Sequence, residues 1–101
     1  MRARLLGLAG MRELPPGWAL HIPRCRAVHT FGMRFALDLI FLTRTGDPVR
    51  VVRDIRPMRL VFCDRASSVI ELSAGQADRY LASSSDSPFI SVPPGGARGR
   101  P

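Results

Sequence analysis

A chain of 101 residues, 46% of them hydrophobic, is one domain with a single modest core. Fifteen basic residues, all arginine, face eight acids, and the net charge of +7 draws polyanions without selecting one. Two cysteines are too few for a disulfide scaffold or a complete zinc site, and the chain lacks the roughly 20 apolar residues of a membrane span.

Residues 2–9 suit a short helix with Leu5 and Leu8 on one face and a glycine stop at Gly10. This opening imitates a secretory signal, but Gly7 and Gly10 interrupt its apolar part and Arg12-Glu13 follow directly. Cytoplasmic residence with reduced thiols is therefore expected. Leu14-Pro15-Pro16-Gly17 is a turn, and Trp18 to Ile22 alternate as a strand, with Trp18, Leu20 and Ile22 inward and Ala19 and His21 outward. Pro23 cannot donate to a ladder and marks the strand end. Arg24 and Arg26 share one face by spacing and Cys25 takes the other. They form a solvated basic edge or, alternatively, an anion patch.

Residues 28 to 42 are the most apolar run, and Asp38 is the single acid inside it. From Phe35 onward a strand would place Phe35, Leu37, Leu39 and Phe41 on one face and Ala36, Asp38, Ile40 and Leu42 on the other. Both faces are apolar apart from Asp38, which predicts a central strand buried on both sides. Thr43 to Pro48 is a loop, Val49 to Arg53 pairs back as a hairpin, and Arg56-Pro57 breaks it. Leu60 to Cys63 is a brief strand. Val69 to Leu72 is another, with Ile70 and Leu72 on one face and Val69 and Glu71 on the other. Gly75 ends it, Gln76 to Leu81 make a turn of helix, and a link over residues 83–88 leads to a last strand at Phe89 to Val92. Residues 1–92 thus read as one domain, and residues 93–101, rich in proline and glycine, as a disordered tail.

The run His29-Thr30-Phe31-Gly32-Met33-Arg34-Phe35-Ala36-Leu37-Asp38, followed by Leu39 to Leu42, resembles the signature of the domain of unknown function 192 family. Val69-Ile70-Glu71-Leu72-Ser73-Ala74-Gly75 resembles that family's Val-Leu-Glu-Leu-x-Ala-Gly, and Arg4-x-x-Gly7-Leu8 resembles its Arg-x-x-Gly-Leu helix end. Together these cover roughly residues 4 to 80. His29 stands where the commoner form has tryptophan, and Ala36 where it often has proline; this version is similar to a cytoplasmic bacterial branch. The resemblance implies a compact β-rich domain with no established activity. It also implies a short strand ahead of the first helix. This chain begins inside that helix, as a truncated copy would, or as one for which the strand is dispensable. The expected fold is all-β, a small sandwich or barrel-like domain with one or two short helices.

A carboxylate within so apolar a run needs partners. The polar residues His29, Thr30 and Arg34 lie just upstream, and an arginine elsewhere could serve as well. Two roles follow: a structural buried ion pair, or a ligand pocket at the strand's start made of His29, Thr30, Arg34 and Asp38. In the pocket Arg34 would contact a small anionic ligand, His29 and Thr30 would orient it, and Asp38 would hold His29 or an arginine. A non-catalytic binding or accessory module is favoured. One alternative is a small hydrolase-type enzyme using His29 and Asp38. Another is non-specific polyanion binding, nucleic acid included, through the arginines. Nucleophile elbows and phosphate loops are absent. Cys25, Cys63, His29 and Asp38 have no paired metal-ligand spacing, so neither metal nor cofactor is expected.

Overall fold

The computed structural model of the chain describes residues 3–5, 17–30, 35–83 and 90–92. In chain order the elements are β1 (Ala3–Leu5), β2 (Trp18–Pro23), β3 (Ala27–His29), β4 (Leu37–Leu42), β5 (Pro48–Ile55), β6 (Leu60–Phe62), β7 (Ser68–Ser73), α1 (Ala77–Ala82) and β8 (Ile90–Val92). The strands form two sheets. The larger has the order β5-β4-β7-β2-β8 and the smaller β1-β3-β6. Pairing is antiparallel except at β1–β3 and β2–β8, which are parallel. The domain is β-rich, as expected.

Alternation builds the core. Leu37, Leu39 and Phe41 of β4 share a face with Val69 of β7 and with Leu20 and Ile22 of β2. Against this face pack Cys25, Val28 of β3, Ala66 and the half-buried Val61 and Cys63, so the small sheet covers the large one there. The opposite face of the large sheet carries Ala19, Ile40, Ile70 and Leu72, and α1 closes over it through Ala77, with Tyr80 packed alongside. β4 is therefore buried on both sides, with the face assignment its sequence predicts.

Glycine shapes the turns that flank the two central strands. Gly46, at φ +89°, lies in the β4–β5 loop, where Thr43 N–H donates to Asp47 O at 2.8 Å and Gly46 N–H to Thr43 O at 2.9 Å. Gly75, at φ +90°, turns the chain from β7 into α1. Both angles lie in the left-handed region that glycine enters without steric cost.

Three expectations need correction. Residues 3–5 form a strand paired with β3, so a helix over 2–9 does not form there; pairing to a buried strand overrides local helix propensity. The central strand begins at Leu37 rather than at Phe35, and β3 ends at His29, so the run from residue 28 to 42 serves both sheets. Ala19 is buried rather than outward-facing, because the second cluster covers that face of β2. The expected stop at Gly10, the link over residues 84–88 and the tail over 93–101 lie outside the described residues.

Candidate functional site

Asp38 is buried and hydrogen-bonded, but its partners are backbone amides rather than His29 or an arginine. Oδ1 accepts from the Asp54 N–H at 2.9 Å, and Oδ2 accepts from the Gly75 N–H at 3.0 Å and the Ala77 N–H at 2.8 Å. The reason is local. Between Leu37 and Leu39 the β4–β5 register slips by one residue, and Asp54 on the bulged strand adopts a left-handed φ of 54°. Its amide loses a ladder partner, and Asp38 stands opposite to receive it. The same carboxylate reaches the amides that open α1, a helix whose N-cap Gln76 supplies no side-chain cap. Asp38 thus ties β4 to β5, to the β7–α1 turn and to the helix start.

Thr30 is equally committed. It is wholly buried, and its hydroxyl donates to Arg56 O at 2.9 Å and accepts from the Arg59 N–H at 2.9 Å. Its backbone N–H donates to Arg59 O at 2.8 Å, and its carbonyl accepts from the Met58 N–H at 3.3 Å. One residue therefore fastens the whole turn between β5 and β6. That turn holds Met58 at φ 66°, an uncommon conformation for a side chain of this size.

His29 is half-buried on β3, in register with Leu60 of β6. It therefore belongs to the small sheet, whereas Asp38 belongs to the face of the large sheet that α1 covers. The hydrogen bonds of Asp38 among the described residues do not include His29, so the contact that an acid–base pair requires is not made. Arg34 lies outside the described residues. Of the arginines near Asp38, Arg53 pairs instead with Asp78 on the surface at 2.6 Å, and this contact holds Asp78 below its ordinary carboxylate range. Arg24 and Arg26 are exposed on either side of buried Cys25, as their spacing predicts. Neither Cys25 nor Cys63 is in a disulfide.

Two features were not among the expectations. The first is on β6. Val61 and Cys63 point into the first core cluster, so Met58, Leu60 and Phe62 project outward at 64%, 56% and 48% exposure. The i, i+2, i+4 spacing of three large apolar residues could have signalled this strip, but spacing alone does not say which face of a short strand meets water. Three guanidinium groups accompany it. Arg26 Nη1 donates to Asp64 O at 3.3 Å, Arg50 Nη1 to Phe62 O at 2.6 Å, and Arg59 Nη1 to Met58 O at 3.5 Å.

The second is Glu71. Alternation places it with Val69 on the face turned toward the small sheet, between its cross-strand neighbours Leu20 and Leu39. It is fully buried, and neither carboxyl oxygen has a hydrogen-bond partner among the described residues. Burial pushes its pKa well above the ordinary carboxylate value.

Among the described residues, no group of three or more His, Cys, Asp or Glu side chains could hold a metal ion, and no helix is long and apolar enough to cross a membrane. No curated protein and no solved structure matches the chain. A family profile does match, DUF192, described as Uncharacterized ACR, and it spans residues 1–87. The three resembling segments, the β-rich fold and this match over most of the chain place the protein in the domain of unknown function 192 family.

Proposed function

We propose that the domain is a non-catalytic binding module whose contact surface is the outward strip of β6 together with the turn before it. The observation that supports it most is Thr30. A buried threonine spends its hydroxyl, its N–H and its carbonyl on a single surface turn, and the turn it holds presents a strained, exposed methionine. Strain of this kind costs of order 1 to 3 kcal/mol and tends to be kept where it serves recognition. A rigid surface also loses less freedom when a partner docks.

In this reading His29 and Thr30 keep a place in the site, His29 beside Leu60 on the neighbouring strand and Thr30 behind the turn it holds, and Arg34 remains a proposed anion contact. Asp38 has a structural role. A cytoplasmic setting accords with two cysteines outside any disulfide. A hydrolase based on His29 and Asp38 has less support, because the two sit on different sheets.

Photo-crosslinking in cells tests the proposal. A photoreactive amino acid replaces Leu60 in one protein and Arg44, exposed in the β4–β5 loop, in another. Discrete adducts from position 60 that are absent from position 44 are expected. Equal adducts from both positions, or none from either, would refute a contact surface on β6.

A further inference from the structure

Resting on that contact surface, we infer that its occupant is an acidic polypeptide segment, bound extended across the face of β6 with apolar and acidic residues in alternation. The apolar part is set by strand geometry. Leu60 and Phe62 alternate along β6, so their side chains recur at 6.5 to 7 Å, roughly, and Met58 stands exposed in the turn just before them. An extended partner presents every second side chain at the same repeat and can meet Leu60 and Phe62 in step, with Met58 at the end of the strip.

The charge is complementary. Arg26, Arg50 and Arg59 are exposed, and each is tethered by one guanidinium nitrogen to a carbonyl of the stretch from Met58 to Asp64. A guanidinium carries five N–H donors, so most remain for carboxylates, which suit its planar fork. The tethers also fix where the charges stand along the strip. Fixed charges at intervals match a polymer with acids at intervals, whereas a fluid layer of anionic lipid has no use for such spacing.

The partner lies on the face and does not extend the sheet. Cys63 N–H donates to the carbonyl of Arg26, the residue just before β3, so the carbonyl of the same peptide unit, Phe62 O, points to the open edge of β6. There Arg50 from the edge of the other sheet already occupies it at 2.6 Å. A strand adding at this edge would first have to displace that guanidinium.

The test is a titration of the full-length, isotope-labelled protein, followed by amide chemical shifts. The probes are a soluble peptide alternating aspartate with leucine, its lysine–leucine counterpart, polyglutamate, and phosphatidylglycerol vesicles. The aspartate–leucine peptide is expected to shift the amides of residues 58–64 and to bind at least about tenfold more weakly to Leu60→Ser and to Arg26→Glu, the scale of a hot-spot residue. Both substitutions are at exposed positions, and unchanged spectra elsewhere in the variants would verify folding. If polyglutamate binds as well and Leu60→Ser has no effect, the attraction is plain charge and the inference fails. If the lysine–leucine peptide or the vesicles shift residues 58–64 while the acidic peptide does not, the β6 surface stands and the acidic partner falls. Shifts confined to other regions, or none with any probe, would sink both.

Discussion

Replacing Glu71 with glutamine should make the protein more stable at neutral pH, and the gain should grow with pH. Glu71 sits between Leu20 and Leu39 with both carboxyl oxygens lacking partners among the described residues. An unpaired buried carboxylate costs several kcal/mol, roughly, so the folded chain keeps the proton. The unfolded chain releases it near a pH of about 4.3. From there up to the raised folded value, the native state holds one more proton than the unfolded state. The contribution of Glu71 is therefore fully present below the unfolded pKa and lost as pH rises through the folded one, at about 1.4 kcal/mol per pH unit across the window. Glutamine keeps the shape and cannot ionise. Urea denaturation of both proteins, from about pH 5 to about pH 8, should give curves that nearly meet at the acid end and diverge with that slope until the folded pKa of Glu71 is passed. Asp78, the other carboxylate with a displaced pKa among the described residues, is common to both proteins and cancels in the difference. Parallel curves would refute the reasoning. A glutamine variant weaker by the same margin at every pH would show instead that Glu71 is ionised and meets a cation.

Asp38→Ala leaves three amides without their acceptor and should cost about 3 to 5 kcal/mol in chemical denaturation; a loss under about half a kcal/mol would place the carboxylate at the surface. Thr30→Val keeps the volume but removes the hydroxyl, and should cost about 1 to 3 kcal/mol and speed amide exchange at Met58 and Arg59; unchanged exchange would mean the turn holds itself. Alkylation of protein prepared without reductant should label Cys25 and Cys63 once unfolded, and quantitative linkage of the two would overturn the reduced assignment.

How far the sequence could be read follows from which signals are local. The faces of β4 and β7 come straight from alternation, because both strands are long enough to show it and both of their faces are buried. The turns at Gly46 and Gly75 are equally local. Asp38 is legible as a buried group needing partners, yet its partners are 16, 37 and 39 residues away, where no pattern points. His29 and Asp38 are close in sequence but end on different sheets, since the short stretch between them carries no mark that distinguishes a change of sheet from a bend within one. The strip on β6 is hidden for the opposite reason. Three residues of strand give too few alternations to tell the inner face from the outer, and the decision rests with the packing of Val61 and Cys63.

The reach of Asp38 also constrains the order in which the chain assembles. A helix of six residues is far below the roughly 12 to 15 at which isolated helices become even marginal. Ala77 and Gly75 find their acceptor only after β4 has come to lie beside β7, so α1 forms on a completed sheet. Until then Ile40, Ile70 and Leu72 meet water across a broad sheet face, and a chain halted at this stage is the one most prone to stick to its neighbours. The protein carries its own reporters for the two events. Its one tryptophan, Trp18, packs against the cluster between the sheets, and its one tyrosine, Tyr80, rides on the helix that arrives afterwards. In refolding, the Trp18 signal should lead and the Tyr80 signal follow.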